Sequence, residues 1–333
     1  MLRPDDIKPG DCPLCAQRGA AYAQANDIEY FSTPEAYEYR LCGACDLLYI
    51  DPVPSDQLDR IYPANYYSFV ANDTKGAVVR LKEWLDARAF RAFLSAIPGD
   101  RLKVLDVGGG TGWLAGLLRD IDPRVALTQI VDIDRGAKTG AEQAGHRFFC
   151  GRIEDFDTPD RYDAILMLNL IEHVADPVGV LRKARGLLAP GGRIYIKTPN
   201  FRALDALLFR HRSWGGYHCP RHFVLFSRKS FAAAAIAADL AIRRFAYTQG
   251  APFWSVSILD ILRRCGLAEV SAARPAIYHP AMPLLQAAAA LFDFARRPFS
   301  RLSQMVVILA APGREASPRP CVATPQQVNA VPR

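Results

Sequence analysis

The sequence predicts an α/β fold: a doubly wound, mostly parallel sheet of seven strands with a small cysteine-knuckle unit in front of it. Three observations carry this expectation. From Arg101 onward, short apolar runs alternate with amphipathic stretches in the order of a doubly wound sheet. The first run, Lys103–Val107, breaks into Gly108-Gly-Gly-Thr-Gly112 and then into a helix opening at Trp113. Two Cys-x-x-Cys pairs, Cys12/Cys15 and Cys42/Cys45, stand within the first 50 residues.

In chain order, residues 1–55 read as a zinc ribbon. A Cys-x-x-Cys turn lets two thiolates reach one ion, and a second such turn 26 residues further on completes a tetrahedral four-cysteine site. Strands are expected near Ala20–Tyr30, Tyr37–Leu41 and Leu47–Ile50. Four thiolates leave no coordination position open, so the zinc is expected to be structural, holding together a segment too small for its own core. Asp51-Pro-Val-Pro-Ser55 leads into a helical lid or linker over 56–100, with helices at 56–62 and 77–97. The aromatic pair Tyr66-Tyr67 between them serves either packing or as a cover over whatever the glycine loop binds.

The main domain is expected over 101–311. Its strands fall at 103–107, 125–131, 147–150, 162–168, 193–197 and 241–247, and a final run at 303–310 suits antiparallel insertion. Its helices open at Trp113, Arg135, Pro177 and Arg228. Substrate-side insertions at 201–226 and 251–300 interrupt the alternation, the second mostly helical. The proline-marked tail, 312–333, is expected to be disordered.

Composition narrows the function classes. Half of the 333 residues are hydrophobic, enough for a sizeable core. The formal net charge is +7, but the basic residues are scattered. The first 50 residues hold Arg3, Lys8, Arg18 and Arg40 against Asp5, Asp6, Asp11, Asp27, Glu29, Glu35, Glu38 and Asp46, a balance that argues against a phosphate-binding face. No run reaches the ~18 apolar residues of a membrane helix, and the start lacks an apolar leader, so a cytoplasmic protein without membrane insertion is expected. Cys150, Cys219, Cys265 and Cys321 are isolated and read as ordinary thiols.

Glycines in the loop permit positive φ and remove the Cβ atoms that would hold a ligand away from backbone. Their spacing departs from the dinucleotide fingerprint, which requires glycine where Trp113 stands. Asp132 ends the second strand about 20 residues further on, where a carboxylate accepts both hydroxyls of a ribose. Asp134 is better suited to capping the next helix.

Asp106-x-Gly108-x-Gly110-x-Gly112 resembles the first motif of class I S-adenosylmethionine-dependent methyltransferases. So does the stretch from Tyr162-Asp163 through Asn169, Glu172-His173 and Asp176-Pro177, followed by Leu188-Ala-Pro-Gly-Gly192 and a strand; the motifs match in order over about residues 102–200. The resemblance implies a seven-stranded Rossmann-like methyltransferase sheet. It also implies S-adenosyl-L-methionine held by Asp106, Gly108, Gly110 and Gly112, with Asp132 on the ribose and the chain around Asn169 on the methionyl part. Residues after Gly151 would flank the adenine; many members have an acid where Arg152 stands, so the amino group is expected to meet Asp155 or the backbone at Ile153.

The Cys42-x-x-Cys45 stretch running to Tyr62 and Tyr66, and the segment Gly216-Tyr-His218-x-x-Arg221-His222, are similar to parts of a zinc-ribbon methyltransferase subgroup tied to sugar, surface-glycan or other small-molecule modification. The expected activity is therefore methyl transfer to a small hydroxyl- or carbon-centred acceptor, such as a sugar or nucleotide sugar. An RNA methyltransferase and a non-catalytic binding protein are the competing readings. Methyl transfer requires an aligned nucleophile, exclusion of water and often a base. His173, His218 and His222 are the candidate bases, Arg221 a candidate anchor for an anionic substrate, and Tyr66 and Tyr67 candidate substrate contacts.

Overall fold

A computed structural model of the protein describes residues 8, 10–63, 65, 66, 77–211 and 213–312, with backbone alone over 77–82. Tyr67 and the tail from residue 313 lie outside the described residues. Three strands come first, β1 (Ala20–Ala25), β2 (Tyr37–Leu41) and β3 (Leu48–Asp51), followed by the short helix α1 (Leu58–Ile61) and the long helix α2 (Ala77–Leu94). Then β4 (Leu102–Val107), α3 (Trp113–Ile121), β5 (Val125–Asp132), α4 (Ala137–Gln143), β6 (Arg147–Cys150), β7 (Tyr162–Leu168), α5 (Pro177–Leu187) and β8 (Leu188–Pro199) alternate. The chain continues through α6 (Leu204–Leu208), the two-residue β9 (Val224–Leu225), α7 (Arg228–Ala237), β10 (Ala241–Thr248), α8 (Ala251–Arg264), α9 (Met282–Arg296) and β11 (Gln304–Ala310).

Seven strands form the main sheet in the order β10-β11-β8-β7-β4-β5-β6, with β11 antiparallel to both neighbours. Alternate side chains of the central strands are buried on opposite faces. Val104, Ala164, Leu166 and Tyr195 meet Phe90, Phe93, Leu94, Leu114 and Leu118 from α2 and α3. Leu105, Ile165, Met167, Ile194 and Ile196 share a core with Leu181 and Ala184 of α5 and Phe231 and Ala234 of α7. Burial on both faces explains why β4 and β7 read as continuous apolar runs. Two helices, α5 and α7, start where side chains cap them. Asp176 accepts the Gly179 amide at 2.8 Å ahead of Pro177, and Ser227 and Ser230 form a capping box for α7.

Three features differ from the expected elements. β1 ends at Ala25 because the Asp27 carboxylate gathers the amides of Glu29, Tyr30 and Ser32 into a turn instead of a strand. β8 begins at Leu188 and carries Pro190-Gly191-Gly192 inside its pairing, with a register shift opposite Tyr162 and Ala164. The ribbon is also not bounded at residue 55. β3 pairs with β9, and Tyr37, Tyr39, Leu48 and Ile50 share a core with Phe201, Trp214, Tyr217, Phe223 and Leu225. The segment 201–226 thus supplies the fourth strand of the ribbon sheet β1-β2-β3-β9 and binds it to the main domain. Among the described residues, no helix is long and apolar enough to cross a membrane.

Candidate active site

The order of the main sheet reverses between β4 and β7, and ligands of such sheets lie beyond the carboxyl ends of the strands at that point. The β4–α3 loop is shaped by backbone. Gly108, Gly110 and Gly112 have φ of 76°, 52° and 85°. A Cβ at Gly112 would stand 2.4 Å from the His146 ring, and one at Gly108 3.0 Å from Leu170 Cδ1, whereas one at Gly110 would meet no atom within 4 Å. Gly110 therefore borders open space while the other two are hemmed in by protein.

Two carboxylates and an amide complete this wall. Asp132 accepts the Gly110 amide on Oδ2 and the Asp134 amide on Oδ1, both at 2.8 Å, and burial leads the causes that raise its pKa. Asp106 is buried at the end of β4; burial, with Asp132 nearby, pushes its carboxyl up to about 7. Its Oδ2 lacks a hydrogen-bond partner, as does Oδ1 of Asn169, which sits at φ 52° just past β7. Gly151 donates its amide to the Asp132 carbonyl at 2.9 Å; beyond it Ile153 is buried and Asp155 exposed on a 3-10 turn. Asp106, the three glycines, Asp132 and Asn169 thus gather at the strand ends, with Ile153 and Asp155 beyond β6.

Past the end of β7, the structure brings the three predicted histidines together. Ring centroids of His173 and His222 are 4.7 Å apart, and those of His218 and His222 4.9 Å. His173 Nδ1 lies 3.0 Å from the Arg221 carbonyl and 2.9 Å from the Tyr62 hydroxyl, and His222 Nδ1 lies 2.9 Å from the Gly216 carbonyl. A carbonyl only accepts, so both rings carry their proton on Nδ1 and leave Nε2 bare. His218 receives the Arg221 Nε–H on Nε2 at 3.2 Å, which assigns its proton to Nδ1, 2.9 Å from Glu29 Oε2. Burial, reinforced by His218, lowers His173 to about 3, and burial likewise holds His222 well below the usual imidazole range. His173 is half-buried, whereas His218 and His222 are buried.

Tyr66 is buried with its hydroxyl 3.1 Å from His218 Nε2 and its ring 5.5 Å from Tyr30. Arg221 has a different setting from the anion anchor expected of it. Its guanidinium is buried and bonded to both oxygens of Asp27 at 2.9 and 3.1 Å, to the Ile61 carbonyl at 2.8 Å and to His218. It joins the ribbon to the 201–226 segment and does not face open space. Burial would raise the Asp27 carboxyl, but Arg221, the Ser32 hydroxyl and backbone amides together lower it.

In the ribbon, Cys12 Sγ lies 3.5 Å from Cys45 Sγ and Cys15 Sγ 3.4 Å from Cys42 Sγ, all four within 4.8 Å of one another. The two turns have the same construction. Ala16 donates to the Cys12 carbonyl and Asp46 to the Cys42 carbonyl, and both donors have positive φ. Thiolates bound to a tetrahedral ion at about 2.3 Å stand roughly 3.8 Å apart, so this cluster fits one metal ion.

Residues 81–244, from within α2 to within β10, match the family model described as a methyltransferase domain. The match covers just under half of the chain and is a similarity to that family. Relatives of the chain include the ubiquinone biosynthesis O-methyltransferases of Aeromonas salmonicida, 37% identical over 22% of this chain and 27% of that protein, and of Bradyrhizobium sp. strain ORS 278, 30% identical over 43% and 47%. The chain spans less than half the length of either. Among solved structures, coclaurine N-methyltransferase bound to N-methylheliamine and SAH is similar with 15% identity and a TM-score of 0.49, covering 78% of this chain and 81% of that one.

The site also holds residues that sequence reasoning did not single out as site residues. Glu172 is fully buried between Thr198 and His222, and burial pushes its carboxyl up to about 8. Asp27 and Glu29 reach from the ribbon to the 201–226 segment to meet Arg221 and His218. Their signal in the sequence is two acids flanking Ile28 in an otherwise apolar and aromatic stretch, Ile28 to Phe31, which the acid count of the ribbon absorbed as surface charge.

Proposed function

We propose that the protein is an S-adenosylmethionine-dependent methyltransferase whose acceptor is a small molecule, with a hydroxyl- or carbon-centred nucleophile such as that of a sugar or nucleotide sugar. The observation that carries this reading is the set of open valences on the cofactor wall: the space beside Gly110, and the unpartnered Asp106 Oδ2 and Asn169 Oδ1. When bound, the cofactor supplies an electrophilic methyl group on a sulfonium. Each Asp132 oxygen accepts one amide and keeps a second lone-pair direction for a ribose hydroxyl. Asp106 and Asn169 offer acceptors to the ammonium end of the methionyl part. The O-methyltransferase relatives favour an oxygen nucleophile, and the resemblance of the ribbon and histidine segments to the sugar-modifying subgroup favours the acceptor class.

The acceptor approaches the histidine cluster at its half-buried edge, His173, whose Nε2 carries no proton. Tyr66 and Tyr62 shield this edge from water, their rings 5.0 Å apart. Zinc in the four-cysteine site orders the ribbon, which in turn delivers Glu29 to His218.

Calorimetric titration with S-adenosylmethionine tests the reading directly. Asp132→Ala is expected to weaken binding at least tenfold, and unchanged affinity would sink the ribose assignment. Turnover on hydroxylated and glycosylated small-molecule fractions, followed with methyl-labelled cofactor, identifies the acceptor. His173→Ala and His222→Ala should lower turnover without moving cofactor affinity. Metal analysis should find a zinc that is lost in Cys42→Ser together with the ordered ribbon, since binding of a structural zinc is worth on the order of 10 kcal/mol.

A further inference from the structure

Among the described residues, two groups of side chains are close enough to share an ion: the four cysteines, and Glu172, His173 and His222, each presenting one ligand atom within 4.8 Å of the others. In the second group, Glu172 Oε2 accepts the Thr198 hydroxyl at 2.9 Å, while the buried Oε1 lacks a hydrogen-bond partner. His222 Nε2 is 3.9 Å from that oxygen, beyond hydrogen-bond reach. Both imidazoles present the outer arrangement of metal-ligating histidines, with Nδ1–H on a backbone carbonyl and Nε2 bare. An orphaned carboxylate oxygen beside two imidazoles of this tautomer is a ligand set.

We propose that Glu172, His173 and His222 bind a single divalent first-row metal ion through one carboxylate oxygen and two imidazole nitrogens. Two nitrogens and one oxygen suit Mn²⁺, Fe²⁺, Co²⁺ or Zn²⁺ better than Mg²⁺ or Ca²⁺, which favour oxygen alone. Bonds of about 2.1 Å hold tetrahedral ligands roughly 3.4 Å apart, so a side-chain adjustment of about half an ångström closes the gap to His222. Three protein ligands leave further positions open for an acceptor's oxygen. Glu172 and His173 stand past the end of β7, three and four positions after Asn169, and Thr198 holds Glu172 from β8. The buried guanidinium of Arg221 does not oppose a cation there, because Asp27 pairs with it through both oxygens. Orientation of the acceptor by this ion rests on the methyltransferase reading; binding of the ion does not.

The test is an electron paramagnetic resonance titration of the full chain, ribbon metal intact, with Mn²⁺, a hard ion that a four-thiolate site disfavours. One Mn²⁺ per chain is expected, with imidazole nitrogen couplings in the pulsed spectrum and affinity lowered at least tenfold in Glu172→Gln and in His222→Gln. No uptake at millimolar Mn²⁺, uptake unchanged in both variants, or a spectrum without nitrogen coupling overturns the proposal. The coupling is read on the unsubstituted protein, so it decides even if a variant fails to fold. Asp132→Ala separates the two readings, since it should weaken cofactor binding and leave Mn²⁺ uptake alone. Mn²⁺ uptake without S-adenosylmethionine binding upholds the ion and rejects the methyltransferase reading, and the converse rejects the ion alone.

Discussion

The cofactor wall draws its polar groups from one stretch of chain, Asp106 to Asn169, and Asp106 Oδ2 and Asn169 Oδ1 there lack protein partners. The ribbon-side wall joins residues nearly 200 positions apart, and Asp27, Glu29, Arg221 and His218 are linked to one another by hydrogen bonds. One wall is arranged to receive a ligand and the other to hold two parts of the chain together. The difference separates substitutions that should damage binding from those that should damage folding, even where the residues lie in one site.

The sharpest way to break the comparison is at Asp27. Asp27→Ala leaves the Arg221 guanidinium buried without a carboxylate, an effect of about 3–5 kcal/mol, because the desolvated charge has lost its compensation. Urea denaturation should show the loss in unfolding free energy. The double variant Asp27→Leu with Arg221→Met should recover only part of it, since it removes the desolvated charge but leaves the Glu29, Tyr30 and Ser32 amides without their acceptor. A loss below about 1 kcal/mol in the single variant would mean that the ribbon-side wall is not a closed joint.

Asp106 gives a smaller effect with a definite sign. Its folded-state pKa, about 7, lies above its ordinary 3.8, so the native state binds the proton more tightly than the unfolded chain does. Its contribution to stability is fully present below pH 4 and is lost as pH rises through 7, about 1.4 kcal/mol of it between pH 6 and pH 8. Comparing the pH profile of the unfolding free energy with that of Asp106→Asn isolates this contribution, and parallel profiles would contradict it. Cofactor affinity should run the opposite way, rising with pH through 7 as the carboxylate forms beside a cationic ligand, and Asp106→Asn should flatten that rise.

The same contrast explains what the sequence disclosed. β6 and β7 fall where the apolar runs place them, and β5 and β10 extend theirs by one residue, because each strand is written into a single short segment. The glycine loop, Asp132 and Asn169 were legible for the same reason: each sits at the end of such a run. The ribbon-side wall was not. The two-residue strand β9 has no periodicity of its own and forms only because β3 presents an edge to it. Arg221 reads as an exposed anion anchor until Asp27 is brought beside it from the ribbon. The histidines were found as a set, but the partners that fix their tautomers are the Arg221 and Gly216 carbonyls and Glu29, which spacing does not reveal.

Two glycines only two positions apart bring the comparison down to single methyl groups. Gly110→Ala introduces a Cβ at φ 52°, a strain of roughly 1 kcal/mol, but no atom among the described residues lies within 4 Å of it. The fold should survive with a melting temperature a few degrees lower. The new methyl group projects into the space assigned to S-adenosylmethionine, so affinity for the cofactor should fall at least tenfold. Gly112→Ala sets its Cβ 2.4 Å from the His146 ring at φ 85°, a clash with protein, and should cost more in stability than Gly110→Ala whether or not cofactor is present. Thermal unfolding and cofactor titration of the two variants side by side decide the matter. If Gly110→Ala binds S-adenosylmethionine as tightly as the unsubstituted protein, the opening beside that loop is not the cofactor's seat, and the division between a receiving wall and a joining wall loses its first member.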